Sequence, residues 1–258
     1  MSALRPTAGE MNGNFTRMRN LLIVCSATIL WCASPLHLAA QKDAKVDHMT
    51  WDQVLQAHVN AAGEVDYAGI AGDPRFGRYL AVLERFAPAE SWTRNERMAY
   101  WINAYNAFTI KLVTEHLPLK SIKDIGEPWA RQFITIGGTK MSLDHIENAI
   151  LRPRFKDPRI HFAINCASIS CPVLLNRAYM PATLESQLEG AAARFMNDTR
   201  RNRITPAKAE VSRVFEWFKE DFTANGTLAE YLSRYSAVPV TEATPIVFMD
   251  YDWRLNAQ

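Results

Sequence analysis

Cys166 and Cys171 stand five positions apart in the run Arg159-Ile160-His161-Phe162-Ala163-Ile164-Asn165-Cys166-Ala167-Ser168-Ile169-Ser170-Cys171-Pro172, and His161 precedes Cys166 by the same interval. Residues of these types can do three kinds of chemistry. A disulfide between the two cysteines closes a loop of about six residues, which loop entropy values at only about 2 kcal/mol, so it stiffens a loop rather than holding a domain together. A nucleophilic Cys166 needs a thiolate, and therefore an imidazole or a helix N-terminus nearby. His161 and His145 are the candidate bases. On an extended strand His161 and Cys166 point to opposite faces and lie up to about 17 Å apart, so they pair only if the chain turns sharply after Asn165. A zinc site built from His161, Cys166 and Cys171, with His145 or Asp144 as a fourth ligand, departs from the common ligand spacings. The pair also lacks the two-residue spacing of thioredoxin-like redox motifs. No metal and no cofactor is expected.

A second constellation sits in Tyr100-Trp101-Ile102-Asn103-Ala104-Tyr105-Asn106-Ala107-Phe108. The stretch is aromatic or apolar almost all round, the mark of a buried helix. Asn103 and Asn106, three apart, share a face of that helix. A buried amide without partners costs about 1–3 kcal/mol, so this pair needs a reason. Either it bonds neighbouring loop backbone and pins the fold, or it positions a substrate or the cysteine loop.

The elements that must carry these groups read as an α+β single domain, mostly helical around a small β-sheet with one hairpin. Helical spacing covers residues 50–62 and 76–86, and Thr93 with Glu96 opens a long helix through a capping box. Gly137-Gly138 joins the two halves of a hairpin. Ser142 caps a helix that holds Asp144, His145 and Glu147. Residues 160–164 read as a strand delivering the cysteine segment at its end. Residues 183–197, 214–222 and a segment capped by Thr227 with Glu230 read as helices, and 246–249 as a last strand. His48, His58 and His116 are expected on the surface or at helix ends.

The first 40 residues read as a secretory signal, with Arg17 and Arg19 ahead of an apolar run and Leu38-Ala39-Ala40 as a cleavage site. Export takes away Cys25 and Cys32 and leaves residues 41–258 as one domain, with no membrane span expected in the mature chain. The full sequence has 29 basic and 27 acidic side chains, and losing Arg5, Arg17, Arg19 and Glu10 makes the mature chain formally neutral. That balance argues against nucleic acid or an anionic membrane as a partner. A small molecule or a cell-envelope partner remains, in the periplasm or outside the cell.

Four ordered motifs carry a family resemblance: Trp101-Ile102-Asn103-Ala104-Tyr105-Asn106-Ala107, Ile146-Glu147-Asn148-Ala149-Ile150-Leu151-Arg152, His161-Phe162-Ala163 with Cys166-Ala167-Ser168 and Cys171-Pro172, and Tyr251-Asp252-Trp253-Arg254-Leu255-Asn256. Together they resemble the DUF547 family, a domain of unknown function, over residues 51–256. The resemblance implies a single domain found in exported bacterial proteins and, behind other N-terminal regions, in plant proteins. Plant members keep the His-Phe-Ala start without needing both cysteines, which weighs against a mechanism resting on cysteine alone. Two function classes follow. One is an envelope hydrolase or transferase with Cys166 as nucleophile, His161 or His145 as base and Asn103 or Asn106 as orienter. The other is a non-enzymatic binding or interaction domain with a structural Cys166–Cys171 disulfide. The first requires a pocket where these side chains converge; the second requires bridged sulfurs.

Overall fold

The computed structural model describes residues 45–258, so the expected signal segment lies outside the described residues. The helix Arg94–Thr114 is the spine of the fold. It starts where the capping box places it, with Thr93 N–H donating to Glu96 Oε2 at 2.8 Å and Glu96 N–H to Thr93 Oγ1 at 3.3 Å. From Met98 to Ile110 every side chain is buried, which is why its sequence shows no polar face. The helices Met49–His58, Tyr67–Gly72 and Pro74–Arg85 pack on one side of the domain, and the helical turn His145–Leu151 lies against the spine.

The single α+β domain is as expected, but its β-structure is two small sheets rather than one. Ile134–Ile136 pairs antiparallel with Thr139–Met141. Gly137 and Gly138 form the turn between them at φ +57° and +79°, backbone angles that suit glycine and give the tight hairpin its twist. Three further strands, Arg203–Ile204, Ala209–Val211 and Ile246–Phe248, form a second sheet in that order, antiparallel and then parallel. Two apolar clusters result. One surrounds the spine; the other gathers Phe162, Phe195, Phe215, Phe222 and Tyr231.

The strand expected over residues 160–164 is absent. Pro158–Phe162 is instead a 3₁₀ turn, opened by Asp157, whose side chain accepts the Arg159 N–H, and by Pro158 at the first helical position. The apolar run is real, but a short one does not distinguish strand from helix. Here Ile160 belongs to the spine cluster while Phe162 stacks on Phe195 with centroids 4.9 Å apart in the second, so the segment joins both cores. His48 lies at a helix end as expected, at the N-terminus of Met49–His58, but it is buried rather than on the surface and hydrogen-bonds Tyr79 Oη at 2.8 Å. The expected helix over 214–222 is two short ones, Val214–Trp217 and Lys219–Phe222.

The two spine asparagines hold backbone. Asn103 Nδ2 donates to the Tyr179 carbonyl at 2.8 Å and its Oδ1 accepts the Tyr179 N–H at 2.9 Å. Asn106 Nδ2 donates to the Ala163 carbonyl at 2.9 Å and its Oδ1 accepts the Asn165 N–H at 2.8 Å. Asn103 thus fastens a loop remote from the cysteines, whereas Asn106 grips the root of the cysteine loop. Replacing either with Ala strands a buried donor and a buried acceptor and is expected to cost about 1–3 kcal/mol in denaturant unfolding. The two differ in hydrogen exchange: Asn106→Ala accelerates amide exchange over residues 163–167, and Asn103→Ala leaves it unchanged.

Candidate functional site

The chain turns sharply after Asn165, as pairing of His161 with Cys166 requires. Asn165 Oδ1 accepts the Ala167 N–H at 2.8 Å and its Nδ2 donates to the Pro172 carbonyl at 2.7 Å. The buried Ala167 is held at φ +60°, a left-handed conformation that costs a non-glycine residue about 1–2 kcal/mol. Such strain persists only where surrounding contacts over-determine it. The Cys171 N–H bonds the Ser168 carbonyl at 3.1 Å, folding the loop back on itself. Arg201 then locks it, its guanidinium donating to the carbonyls of Cys171 and Ile169 at 2.7 Å each.

Both cysteines are free thiols. Cys166 is half-buried and its sulfur is ringed by donors. Ser168 Oγ lies at 3.1 Å and Tyr251 Oη at 3.3 Å, and these two hydroxyl oxygens are themselves 3.1 Å apart, within hydrogen-bond distance. A hydrogen bond from the Cys171 thiol, with help from Ser168 and Tyr251, brings the Cys166 thiol down to about 7 against the opposing effect of burial. Burial pushes Cys171 the other way, and the adjacent Cys166 sulfur adds to it, so Cys171 keeps its proton.

Cys166 and His161 open onto one cavity of about 210 Å³, walled by Trp129, Trp217, Phe218, Tyr251 and Trp253. His161 is buried at the base of this cavity. Its Nε2 lies 2.7 Å from Asp221 Oδ2, and the ring stacks on Phe218 with centroids 3.9 Å apart. Asp221 is also held by Arg152, Nε to Oδ2 at 2.6 Å and Nη2 to Oδ1 at 3.2 Å. Burial would raise Asp221, but the bonds from His161 and Arg152 bring it down to about 2. An ionised Asp221 fixes the tautomer: Nε2 carries the proton and donates. Burial lowers the imidazole's affinity for a second proton more than Asp221 raises it. Nδ1 is therefore a bare lone pair, and it has no hydrogen-bond partner.

Glu147 faces that lone pair, with Oε1 3.8 Å from Nδ1. Burial, and the Cys166 charge next to it, raise the Glu147 carboxyl to about 7, although a Tyr105 hydrogen bond works the other way. Glu147 arrives there through an unusual element, the π-helical turn His145–Leu151, in which the Arg152 N–H bonds the Glu147 carbonyl. Such turns recur at functional sites because they redirect side chains that an α-helix would place elsewhere. Here the turn delivers Glu147 to the cavity and Arg152 to Asp221.

His145, the other expected base, is exposed and lies outside this cavity. Asp144, Glu147 and Asn148 share the helical face that lines it, and His145 points off that face. Asn103 and Asn106 do not reach the cavity, and Asn106 contributes by holding Ala163 and Asn165. Three contributors escaped the sequence reading. Glu147 is legible in the sequence only as a member of the motif over residues 146–152 beside His145, with no role attached. Tyr251 stands out in the sequence only as the first residue of the closing motif over residues 251–256. Asp221 did leave a signal: it sits three after Phe218 and one before Phe222, an acid on the apolar side of a helix. Among the described residues no group of three or more His, Cys, Asp or Glu is arranged to hold a metal ion.

Residues 89–196 match the family described as "Protein of unknown function, DUF547". The matched segment spans the spine, Glu147, His161 and both cysteines, while Asp221 and Tyr251 come from beyond it. No curated protein and no solved structure matches the chain.

Two measurements test this electrostatic arrangement. Alkylation of Cys166 by iodoacetamide should follow a pH profile with a midpoint near 7, and Tyr251→Phe or Ser168→Ala should move that midpoint upward. Glu147→Gln should gain stability over the wild type only as the pH rises above 4.5. Below pH 4.5 the carboxyl is protonated in folded and unfolded chains alike, so variant and wild type match. Between 4.5 and about 7 the unfolded wild type ionises while the native protein does not, so wild type loses stability that the variant keeps. Above that range the variant should be the more stable by at most about 3 kcal/mol in denaturant unfolding.

Proposed function

We propose that this DUF547 protein is a thiol-dependent acyl hydrolase or transferase, with Cys166 as nucleophile and His161, Glu147 and Asp221 as its proton-handling group. One observation carries the reading: a thiol lowered to about 7 opens onto the same cavity as an imidazole whose free Nδ1 faces a carboxyl also poised near 7. Groups that change protonation near neutral pH are what acid–base catalysis at that pH uses.

The chemistry balances with the chain's own groups. The Cys166 thiolate attacks the carbonyl carbon, the bond to the leaving group breaks, and the Glu147 carboxyl protonates that group as it departs. A thioester on Cys166 remains. A water, or another acceptor in a transferase, then attacks the thioester and gives its proton to the Glu147 carboxylate, and the Cys166 thiolate leaves. His161, fixed by Asp221, presents Nδ1 to Glu147 and stabilises the proton there in both half-reactions. The aromatic wall suits an apolar acyl or leaving group.

Export accounts for the N-terminal pattern, and on this reading the enzyme works in the periplasm or outside the cell. Protein recovered from the producing cell should then begin near Gln41 by N-terminal sequencing, and a retained residue 1 would overturn the assignment.

The acyl mechanism is tested with p-nitrophenyl acetate. Intact mass should show one acetyl group, mapped to the tryptic peptide that holds Cys166, and Cys166→Ser should abolish it. Glu147→Gln and His161→Ala should slow turnover by about 10²–10⁴-fold, with the acetyl-enzyme accumulating in Glu147→Gln. Acetylation confined to lysines, or turnover undiminished in Cys166→Ser, would sink the mechanism.

A further inference from the structure

We propose that Cys166 and Cys171 form a hydroperoxide-reactive pair, in which Cys166 is the sulfur oxidised and Cys171 resolves it to an intramolecular disulfide. The geometry that supports this is independent of acyl chemistry. Cys171 Sγ accepts the Cys166 N–H at 2.9 Å, and its thiol donates to the Cys166 sulfur, so the resolving group already touches its target. The backbone that would have to close is closed: Ala167 in the left-handed region and the Cys171 N–H on the Ser168 carbonyl bring the two residues together. Arg201 holds two carbonyls of that turn. A low-pKa thiol open to a pocket beside a second, protonated thiol is the arrangement that sulfenic-acid chemistry uses.

The step draws on groups already in place. The Cys166 thiolate attacks the outer oxygen of ROOH, the O–O bond breaks, and RO⁻ takes the Glu147 proton to leave as ROH. Cys166 becomes a sulfenic acid. The Cys171 sulfur then attacks it, forming the S–S bond, while the hydroxyl leaves with the Cys171 proton as water. Sulfur is oxidised by two electrons and the peroxide reduced by two. A dithiol reductant restores both thiols by exchange.

The cavity also indicates which oxidant enters. Its wall is aromatic and none of its lining residues is Lys or Arg. Lys123, which is not among the lining residues, has its ammonium 3.8 Å from the centroid of the Trp253 ring. An uncharged organic hydroperoxide fits this surface better than an anionic oxidant.

The test uses the full chain at pH 7 with one equivalent of cumene hydroperoxide. Arg159 and Arg177 bound a tryptic peptide that holds both sulfurs and no other cysteine. Its mass should fall by two hydrogens and recover with dithiothreitol. The reaction should be about fifteenfold faster than in the urea-unfolded chain, the ratio of thiolate fractions at pH 7 for thiols titrating near 7 and near 8.5. In Cys171→Ser, dimedone should capture a sulfenic acid on Cys166; in Cys166→Ser neither product should form. A peptide left unchanged by a peroxide stock that oxidises glutathione in a separate tube, or a Cys171→Ser protein that gives no dimedone adduct, would overturn the proposal. Acetylation of the reduced protein is scored separately, so a chain that acetylates on Cys166 but resists the peroxide loses only this proposal.

Discussion

The site depends on a single buried amide. Asn165 accepts from Ala167, donates to Pro172, and gives its own N–H to Asn106 on the spine helix. These bonds force the left-handed turn at Ala167 and send the chain back on itself, so that a cysteine and a histidine from opposite ends of a short apolar run face one cavity. The spine can offer Asn106 because it is buried all round, and its two buried amides, Asn103 and Asn106, each grip a neighbouring loop. A buried hydrogen bond is worth little net but costs much to leave unmade, and this network uses that asymmetry to hold a strained turn.

Environment then separates groups of the same chemical kind. Asp221 and Glu147 flank one imidazole, yet Asp221, bonded by a guanidinium, stays ionised, while Glu147, dry and beside the Cys166 sulfur, holds its proton to about 7. The two thiols divide likewise: Cys166 is surrounded by donors, and Cys171 is the donor. Pairs of like groups pushed apart by their surroundings mark where acid, base and nucleophile have separate roles.

Much of this was legible in the residues and some was not. The capping boxes at Thr93 and Thr227, the Gly137-Gly138 hairpin and the buried spine follow from local rules, and local rules act through a few bonds. The run from Ile160 to Ile164 misled because a short apolar run does not distinguish strand from helix, and here it is apolar throughout because Ile160 and Phe162 serve two different cores. His145 misled because adjacency to a motif says nothing about which way a helical side chain points. Asp221 lies 60 residues from the histidine it orients, and Tyr251 85 residues from the sulfur it touches. Such pairings are created by folding alone, and only the oddity of an acid on an apolar helix face hinted at the first.

The tail gives the molecule an order in time. Residues 250–258 strap across the domain: the Arg254 carbonyl receives the Ile169 N–H at 2.9 Å, the Ala167 carbonyl receives the Asn256 N–H at 3.3 Å, and Tyr251 supplies a hydroxyl to the cysteine loop. Tyr251 follows Cys166 by 85 residues, so its share in lowering that thiol, added to those of Cys171 and Ser168, exists only once the tail lies across the cysteine loop.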